Sequence, residues 1–314
     1  MPEAAHIDHA SSPDAPAPTG PVVELRALRK RFGKQVVLDG IDLSIERGKT
    51  TVILGPSGSG KSVLLKCIVG LLRPDSGEVS FCGQRIDNLS ESRYARIRRH
   101  IGFVFQLSAL FDSMDVFENL AFPFREHTNL KETEIRRRVI RALRLVDLRD
   151  IEYKLPAQLS GGQQKRVAVA RAIIQEPELV LYDEPTTGLD PVRAQGINAL
   201  IRKLQRELGV TSIIVTHDLE SARTVGDRVL LLYGGKFIAD GTFQDVSTST
   251  DPQVHAFFSG KAETRDSIEA EHHSHVLALS TAKLPSTATP VAQEPPIAED
   301  AGEPAPSDPR TDAS

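Results

Sequence analysis

The segment Thr51-Val-Ile-Leu-Gly-Pro-Ser-Gly-Ser-Gly-Lys-Ser62 decides the fold class of this chain of 314 residues. It opens with a short apolar run typical of a buried strand, passes through a glycine-rich loop, and leads into a helical pattern over residues 61–69. A strand, a glycine-rich loop and a helix in this order are the arrangement of a phosphate-binding loop. The segment therefore predicts an α/β fold that binds a phosphorylated ligand.

The composition of the loop suits phosphate chemistry. Glycines allow the backbone to curl so that successive N–H groups point inward, and the N-terminus of the following helix adds partial positive charge. Lys61 can reach the β- and γ-phosphates of a nucleotide, and the Ser62 hydroxyl can ligate Mg²⁺. A loop that serves only as a tight turn is the alternative, which the flanking strand and helix disfavour. The predicted nucleotide-binding residues of the loop are Gly55, Pro56, Ser57, Gly58, Ser59, Gly60, Lys61 and Ser62.

Strand and helix patterns alternate on both sides of this loop. Residues 22–28 and 36–45 alternate apolar and polar side chains, as half-exposed strands do, whereas compact apolar runs are typical of buried parallel strands. The compact runs are residues 51–54, 179–182 and 212–215, and the helical patterns are residues 61–69, 132–146, 162–174 and 191–207. The alternation predicts a P-loop NTPase core with a mostly parallel sheet and an N-terminal antiparallel β region.

The stretch at about residues 88–174 is different, because helical patterns and basic residues dominate it. We expect it to form a helical subdomain inserted into the α/β core. Its basic runs, including Arg136, Arg137 and Arg138, are typical of a solvated helix face.

Composition separates a central region from two terminal segments. Residues 1–20 and 261–314 hold 11 of the 20 prolines and none of the 16 aromatic residues, and they carry formal charges of −3 and −6. The 240 residues between them carry +5, so the overall charge of −4 conceals a mildly basic centre. Pro-rich, acidic segments without aromatic residues cannot bury enough apolar surface to fold alone. We predict a disordered tail at 1–20, a folded domain at 21–260 and a disordered tail at 261–314.

The same survey argues against several classes of protein. No run of about 18 apolar residues is present, so we do not expect the chain itself to span a bilayer. Its start lacks the basic and apolar regions of a signal peptide, which predicts a cytoplasmic location. Cys67 and Cys82 are too few for a disulfide framework or a zinc site, and we predict that both are small core residues. The weak positive charge of the centre, without a clustered basic stripe, disfavours nucleic acid as a partner.

Two further segments indicate which class of phosphate-binding protein this chain resembles. Leu159-Ser-Gly-Gly-Gln163 precedes a helical pattern, and Leu179-Val-Leu-Tyr-Asp-Glu184 is an apolar run whose two acids begin 23 residues after Ser160. Together with the phosphate loop, these segments resemble the nucleotide-binding subunits of ABC (ATP-binding cassette) transporters over about residues 22–260. The resemblance implies an enzyme that hydrolyses ATP with Mg²⁺ and couples hydrolysis to transmembrane transport.

In that family two subunits pair head to tail, and each ATP lies between the phosphate loop of one subunit and the LSGGQ segment of the other. The resemblance therefore implies a second copy of this chain as a partner. A helix N-terminus that binds an anion supplied by another chain is physically reasonable. The residues implied to contact the partner's nucleotide are Ser160, Gly161, Gly162 and Gln163, and Asp190 matches the loop that makes contact across the dimer.

The resemblance also implies roles for the two acids after the apolar run. Asp183 would hold Mg²⁺, directly or through water. Glu184 would polarise the attacking water, because phosphoryl transfer depends on positioning and charge stabilisation. A surface acid is the alternative for Glu184, and the two accompanying motifs disfavour it.

Three more residues match positions of that family. Gln106, which follows Phe103-Val-Phe, matches the glutamine that senses the metal and the γ-phosphate. His217 matches the histidine that contacts the γ-phosphate; a lone histidine after a strand is usually structural, but its position 33 residues after Glu184 favours the phosphate role. Phe32 is the candidate for stacking on adenine, with a core Phe as the alternative.

The segment 106–127 lies where the family receives the coupling helix of its permease. It is rich in Phe, Leu and Met, and apolar surface usually marks a partner site. Phe111, Phe117 and Phe122 have the alternative of packing inside the helical subdomain. The sequence ALFDSMDVFENLAFPFREH, together with residues 250–260, is similar to the ATPase of Mla/Mce phospholipid-transport systems. That similarity implies a subunit held by a permease at the cytoplasmic face of the inner membrane, in a complex with a lipid-binding Mce-domain protein.

Other functions are kept as alternatives. The nearest is the ATPase of another ABC importer, for amino acids or other small solutes. A non-transport ABC ATPase commonly carries two cassettes in one chain, whereas this chain has one phosphate loop. A small-molecule kinase would leave residues 159–163 unexplained. In the C-terminal segment, His272, His273 and His275 have no accompanying Cys, so we expect a solvated cluster and not a metal site.

Overall fold

The computed structural model describes residues 20–260 of the chain. Residues 1–19 of the N-terminal tail predicted at 1–20 and the whole tail predicted at 261–314, including the cluster at His272, His273 and His275, lie outside the described residues.

The described range begins with three consecutive strands, after which helices and strands follow one another singly or in short groups. The strands are β1 (Val23–Phe32), β2 (Gln35–Ile45), β3 (Thr50–Leu54), β4 (Ser76–Phe81), β5 (Gln84–Arg85), β6 (Ile101–Val104), β7 (Leu179–Asp183), β8 (Thr211–Thr216), β9 (Arg228–Tyr233) and β10 (Lys236–Gly241). The helices are α1 (Lys61–Ile68), α2 (Glu91–Arg98), α3 (Val116–His127), α4 (Glu132–Leu145), α5 (Gly161–Ile173), α6 (Pro191–Leu208), α7 (Leu219–Val225), α8 (Phe243–Ser247) and α9 (Pro252–Phe258).

The helices predicted from periodicity agree closely with the structure. Helices α1, α4, α5 and α6 begin and end within one residue of the predicted ranges. Among the described residues, no helix combines the length and the apolar composition needed to cross a membrane.

Two sheets organise these elements. The N-terminal sheet is antiparallel and has the order β2-β1-β4-β5. The second sheet has the order β10-β9-β3-β8-β7-β6, and its pairs are parallel except for the pair of β9 and β10. The predicted fold class, a mostly parallel core with an antiparallel N-terminal region, is confirmed.

The six-stranded sheet is buried on both faces. Along β3, Val52 and Leu54 pack into a core shared with helices α3 to α6, while Ile53 packs into a second core beneath the antiparallel sheet. Because successive side chains of a strand point to opposite faces, a strand covered on both sides needs an unbroken apolar run. This explains the compact apolar runs at 51–54, 179–182 and 212–215.

The helical subdomain enters the chain between β6 and β7. Helices α3, α4 and α5 join one apolar core, to which they contribute Leu120, Phe124, Val139, Leu143 and Val167. The first turn of α3 is held by a reciprocal cap, in which Asp115 accepts from the Glu118 N–H and Glu118 accepts from the Asp115 N–H.

One prediction about this part of the chain needs correction. The stretch 88–174 is not wholly helical, because β6 is the edge strand of the core sheet, and α2 packs Tyr94 and Ile97 into the core beneath the antiparallel sheet. A strand of only four residues offers too few positions for its period to be recognised.

The prediction that both cysteines are core residues holds for Cys67 only. Cys82 lies half-buried in the turn after β4, at φ +49°, where the chain reverses towards β5. Its Sγ donates to Glu178 Oε2 at 3.2 Å, and Arg47 donates to the sulfur at 3.4 Å. Burial raises the pKa of Cys82 to about 11.

Candidate nucleotide-binding and hydrolysis site

Five parallel strands, β9, β3, β8, β7 and β6, end at one edge of the six-stranded sheet. The register pairs Leu54 with Thr216, Asp183 with Val215 and Val104 with Tyr182. The residues that follow β3, β6, β7 and β8 therefore emerge side by side. In open parallel sheets, ligands bind at this carboxyl edge.

The phosphate loop follows β3 and lies tightly against its neighbours. A Cβ at Gly55 would lie 2.5 Å from the main-chain oxygen of Leu232, and one at Gly60 would lie 2.9 Å from Val37 Cγ1. Gly60 also has φ +100°, which L side chains rarely adopt. Both positions therefore require glycine, and the loop keeps its backbone close to β2 and β9.

Lys61 lies inside this loop and is only 6% exposed. Its Nζ donates to the main-chain oxygens of Gly55 at 2.8 Å and Pro56 at 3.0 Å. The same nitrogen lies 3.8 Å from Glu184 Oε1. The ammonium therefore connects the loop with the carboxylate at the end of β7.

Ser62 and Asp183 form a second contact between these segments, since Ser62 Oγ donates to Asp183 Oδ1 at 2.8 Å. Burial and the neighbouring charge of Glu184 raise the pKa of Asp183, although the hydrogen bond from Ser62 opposes the shift. A buried carboxylate whose charge is disfavoured in this way gains strongly from a cation placed beside it.

Glu184 is buried and accepts hydrogen bonds on both carboxylate oxygens. Thr216 and Thr187 donate their hydroxyls to Oε2 at 3.1 Å and 3.3 Å, and His217 Nδ1 lies 3.0 Å from Oε1. Burial alone would raise the pKa of Glu184, but the bond with His217 and the charge of Lys61 outweigh it and hold the pKa below its usual value. Glu184 is therefore a charged, oriented carboxylate.

His217 follows β8 and faces the same carboxylate. Its hydrogen bond with Glu184 raises the pKa of His217, although partial burial opposes the shift. The side chain remains 52% exposed, so the imidazole can still contact a ligand.

Among the described residues, no hydrogen bond, ion pair or ring contact joins the side chains of Gln106 and Phe32 to Asp183, Glu184 or His217. Gln106 is exposed just beyond the end of β6, and its main-chain oxygen accepts a hydrogen bond from Lys165. Phe32 is 40% exposed at the end of β1, with Lys30 Nζ 5.4 Å from its ring centre. The alternative of a core Phe is therefore wrong, and stacking on adenine stays a prediction.

The LSGGQ residues form the N-terminus of α5. Ser160 caps the helix: its Oγ accepts from the Gln163 N–H at 3.3 Å, and Gln163 Oε1 accepts from the Ser160 N–H at 3.0 Å. Asp190 caps α6 by accepting from the Arg193 N–H at 3.0 Å. A Cβ on Gly162 would lie 3.6 Å from Arg193 Cδ, so the two caps are neighbours.

The predicted site residues therefore fall into two groups. The loop residues 55–62 join Asp183, Glu184 and His217, whereas residues 160–163 lie beside Asp190 at two helix N-termini. Sequence reasoning missed Thr187 and Thr216, the hydroxyl donors to Glu184; both lie within motifs already singled out, one before His217 and one three residues after Glu184. It also missed Lys165, a lysine on the buried face of α5 that it shares with Ala168, Val169 and Ala172.

Comparison with known proteins agrees with this geometry. A match to the ABC transporter family covers residues 38–187. The chain is 41% identical over 242 residues to the intermembrane phospholipid transport system ATP-binding protein MlaF of Haemophilus influenzae, covering 77% of this chain and 92% of that protein. It is also 41% identical over 248 residues to the probable ribonucleotide transport ATP-binding protein Mkl of Mycobacterium leprae, covering 79% of this chain and 72% of that protein.

One solved structure shows the same fold with reaction products. The ATP-binding cassette MJ0796, as a dimer in a post-hydrolysis state bound to ADP and Pi, is 35% identical with a TM-score of 0.65, covering 70% of this chain and 98% of that one.

The fold and the site define a P-loop ATPase of the cassette type. The chain belongs to the family of ABC transporter ATP-binding proteins. It is an enzyme that binds nucleotide and couples ATP hydrolysis to transmembrane transport.

Proposed function

We propose that residues 21–260 form the ATPase domain of a transporter that moves phospholipid between envelope membranes, driven through a partner permease. The supporting observation is the similarity to MlaF over 92% of that protein's length, which includes the partner-facing segment 106–127. The chain attaches to the cytoplasmic face of the inner membrane through the permease, and the complex includes a lipid-binding Mce-domain protein.

Two copies of the chain pair head to tail around ATP. The phosphates lie in the loop of one copy, where main-chain N–H groups and Lys61 bind them, and the adenine stacks on Phe32. The second copy contributes the N-terminus of α5 and the loop at Asp190. The residues that contact nucleotide are Phe32, Gly55, Pro56, Ser57, Gly58, Ser59, Gly60, Lys61 and Ser62 in one copy and Ser160, Gly161, Gly162, Gln163 and Asp190 in the other.

The oxygen atoms beside the loop fit Mg²⁺. The ion prefers oxygen ligands and is usually held by one or two protein side chains together with phosphates. Ser62 Oγ and Asp183 Oδ1 already lie 2.8 Å apart, and burial leaves the carboxylate in need of a cation. Ser62, Asp183 and Gln106 are the residues that hold the ion, which neutralises charge on the phosphates.

Glu184 acts on the attacking water. Its carboxylate is charged and held by Thr187, Thr216 and His217, so it can accept a hydrogen bond from water in a fixed direction. His217 contacts the γ-phosphate from the neighbouring strand end. Hydrolysis then needs little motion of these groups, since phosphoryl transfer depends mainly on positioning.

The loop that follows β6 supplies the surface for the permease. Leu107 is 82% exposed and Phe111 is 43% exposed, and the Phe111 ring lies 5.2 Å from the Phe122 ring. Phe117 packs against the helical core and has a structural role. Exposed Leu and Phe beside a nucleotide site suit an apolar helix of a membrane partner.

Purification of the tagged full chain from detergent-solubilised membranes tests the proposal. We expect a multi-span membrane protein and phospholipid to co-purify with it. Leu107→Asp should release the membrane protein, because it places a charge in the apolar contact. Leu71→Asp is the matched control, since Leu71 is also an exposed leucine (50%) but lies outside this loop.

The outcomes separate the parts of the proposal. Loss of the membrane protein with Leu71→Asp as readily as with Leu107→Asp would contradict the proposed surface. A co-purified complex that transports ribonucleotides and no phospholipid in reconstituted vesicles would replace the phospholipid by the cargo named for Mkl.

A further inference from the structure

Two cations of helix α5 hold the loop that follows β6. Lys165 donates from its ammonium to the main-chain oxygen of Gln106. Arg171 donates to the main-chain oxygen of Ser108 at 3.2 Å, and its guanidinium lies 5.8 Å from the centre of the Phe111 ring. The helix that begins at the LSGGQ segment therefore holds the start of the loop by two main-chain oxygens that lie two residues apart.

Lys165 is an unusual residue for its position. It is 6% exposed, and among the described residues no carboxylate oxygen lies within 4.0 Å of its ammonium. Of the other basic side chains of this region, Lys203 and Arg166 lie 2.7 Å and 3.2 Å from Asp147, whereas Arg171 makes no ion pair among the described residues. Burying an ammonium without an ion pair is costly. An ion pair therefore does not account for a lysine at this position.

The loop that these cations hold is strained. Ser108 and Ala109 have φ values of +63° and +47°, a left-handed conformation that costs energy for residues other than glycine. The far end of the loop is also tied down, because the buried Asn119 side chain accepts from the Phe111 N–H at 2.8 Å and donates to its oxygen at 3.1 Å. Such a conformation persists only where its surroundings impose it.

The charges of Asp183 and Glu184, although beyond ion-pair distance, also act on the ammonium of Lys165. Burial lowers the pKa of Lys165, while the charges of Asp183 and Glu184 oppose the shift. The contact with Gln106 therefore connects helix α5 with the loop after β6. This connection lies at the carboxyl edge of the six-stranded sheet.

We propose that Lys165 is a positioning residue, which fixes the main chain of Gln106 and thereby directs the Gln106 amide towards the metal and the γ-phosphate. The inference rests on the proposed role of Gln106. Arg171 supports this positioning by holding Ser108, so that the strained turn keeps Gln106 at a fixed position relative to Asp183.

Lys165→Met tests this role, because methionine fills the volume without donating a hydrogen bond. We expect kcat to fall about tenfold, since small displacements of positioned groups are expensive, while the KM for ATP changes less than about twofold. The unfolding midpoint without nucleotide should stay the same or rise, because an unpaired buried charge is removed. A lysine that served only the fold would lower the midpoint instead.

Two further variants serve as controls. Lys165→Arg retains a cationic donor and should recover most of the lost kcat. Lys203→Met removes a lysine that also donates to a main-chain oxygen, that of Leu145 at 3.1 Å, but lies away from Gln106. It should leave kcat unchanged.

A double-mutant cycle identifies the route of the effect. If Lys165 acts through Gln106, Lys165→Met should have little further effect in a Gln106→Ala background. Fluorescent mant-ATP provides a second readout: both single variants should bind it normally in EDTA and should need several-fold more Mg²⁺ to reach half of the metal-dependent signal.

The failures of the two proposals are distinguishable. If Gln106→Ala leaves both kcat and the Mg²⁺ requirement unchanged, the proposed role of Gln106 is wrong and the inference falls with it. If Gln106→Ala lowers kcat but Lys165→Met does not, or if the two effects are additive, the inference alone is overturned.

Discussion

The two halves of the nucleotide site are built in different ways. At the phosphate-loop end, Ser62 reaches Asp183 across 121 residues of sequence and Thr216 reaches Glu184 across 32. At the LSGGQ end, Ser160 bonds with Gln163 only three residues away. One half is held by contacts between distant segments, whereas the other is a helix cap that forms locally.

This difference indicates which half of the site is complete within one chain and which half depends on a second copy. The phosphate-loop half already orients its carboxylates within one chain. It therefore has the groups to bind the phosphates and to polarise the attacking water. The Ser160 hydroxyl accepts from its own helix and keeps its hydrogen to donate, and the exposed helix N-terminus attracts an anion. Among the described residues this second half meets no phosphate loop of its own chain through a hydrogen bond, which suits a ligand brought by a second copy.

The largest effect is expected at the phosphate-loop half. Glu184→Gln should lower the rate of ATP hydrolysis about a thousandfold, because it removes the charge that polarises water. ATP binding should remain, and ATP should now stabilise a dimer that is visible by size-exclusion chromatography. Hydrolysis at the parent rate would remove Glu184 from its proposed role.

A change at the LSGGQ half should spare nucleotide binding. Ser160→Arg places bulk and a long charged side chain at the helix N-terminus, and we expect hydrolysis to fall about a hundredfold. The affinity of the isolated subunit for mant-ATP should stay at the parent value.

Mixing variants makes the comparison sharper. Lys61→Ala disables the phosphate loop but leaves the LSGGQ segment intact, so mixing it with Ser160→Arg should restore partial hydrolysis through one complete composite site. Absence of any recovery in the mixture would contradict the assignment of the two halves to different copies.

A smaller effect is expected from one hydroxyl donor to Glu184. Thr216→Val keeps the shape of the side chain but removes a hydrogen bond to a buried charge, and kcat should fall about tenfold. Thr224→Val is the matched control, because its hydroxyl donates to the main-chain oxygen of Glu220 on the exposed side of α7. Equal losses in both variants would show that Thr216 has no special part in orienting Glu184.

The smallest effect is expected at the rim of the site. Phe32→Ala should raise the KM for ATP about fivefold, since an aromatic contact contributes about 1 kcal/mol, and should leave kcat unchanged. Phe32→Tyr retains the ring and should preserve the KM. An unchanged KM in Phe32→Ala would place the adenine elsewhere.

Much of the architecture was predictable because it depends on local patterns. The phosphate loop, the capped helix at Ser160 and the limits of α1, α4, α5 and α6 follow from glycine positions, caps and apolar period. The strand β6 was missed because it is too short to show a period. Cys82 was misassigned because its position in a turn decides its exposure, whereas the prediction relied on the usual burial of free cysteine.

The amino-acid sequence by itself determined the class of this protein, since a phosphate loop, an LSGGQ helix start and an acidic strand end are short motifs whose conformation arises within a few residues. Only the tertiary structure decided how these parts work together. The hydroxyls on Glu184 and the ammonium of Lys165 on Gln106, 59 residues away in the chain, meet because parallel strands end at one edge and helix α5 packs across it. Contacts of this kind depend on how the helices and strands pack, and the apolar periodicity of a single segment does not predict that packing.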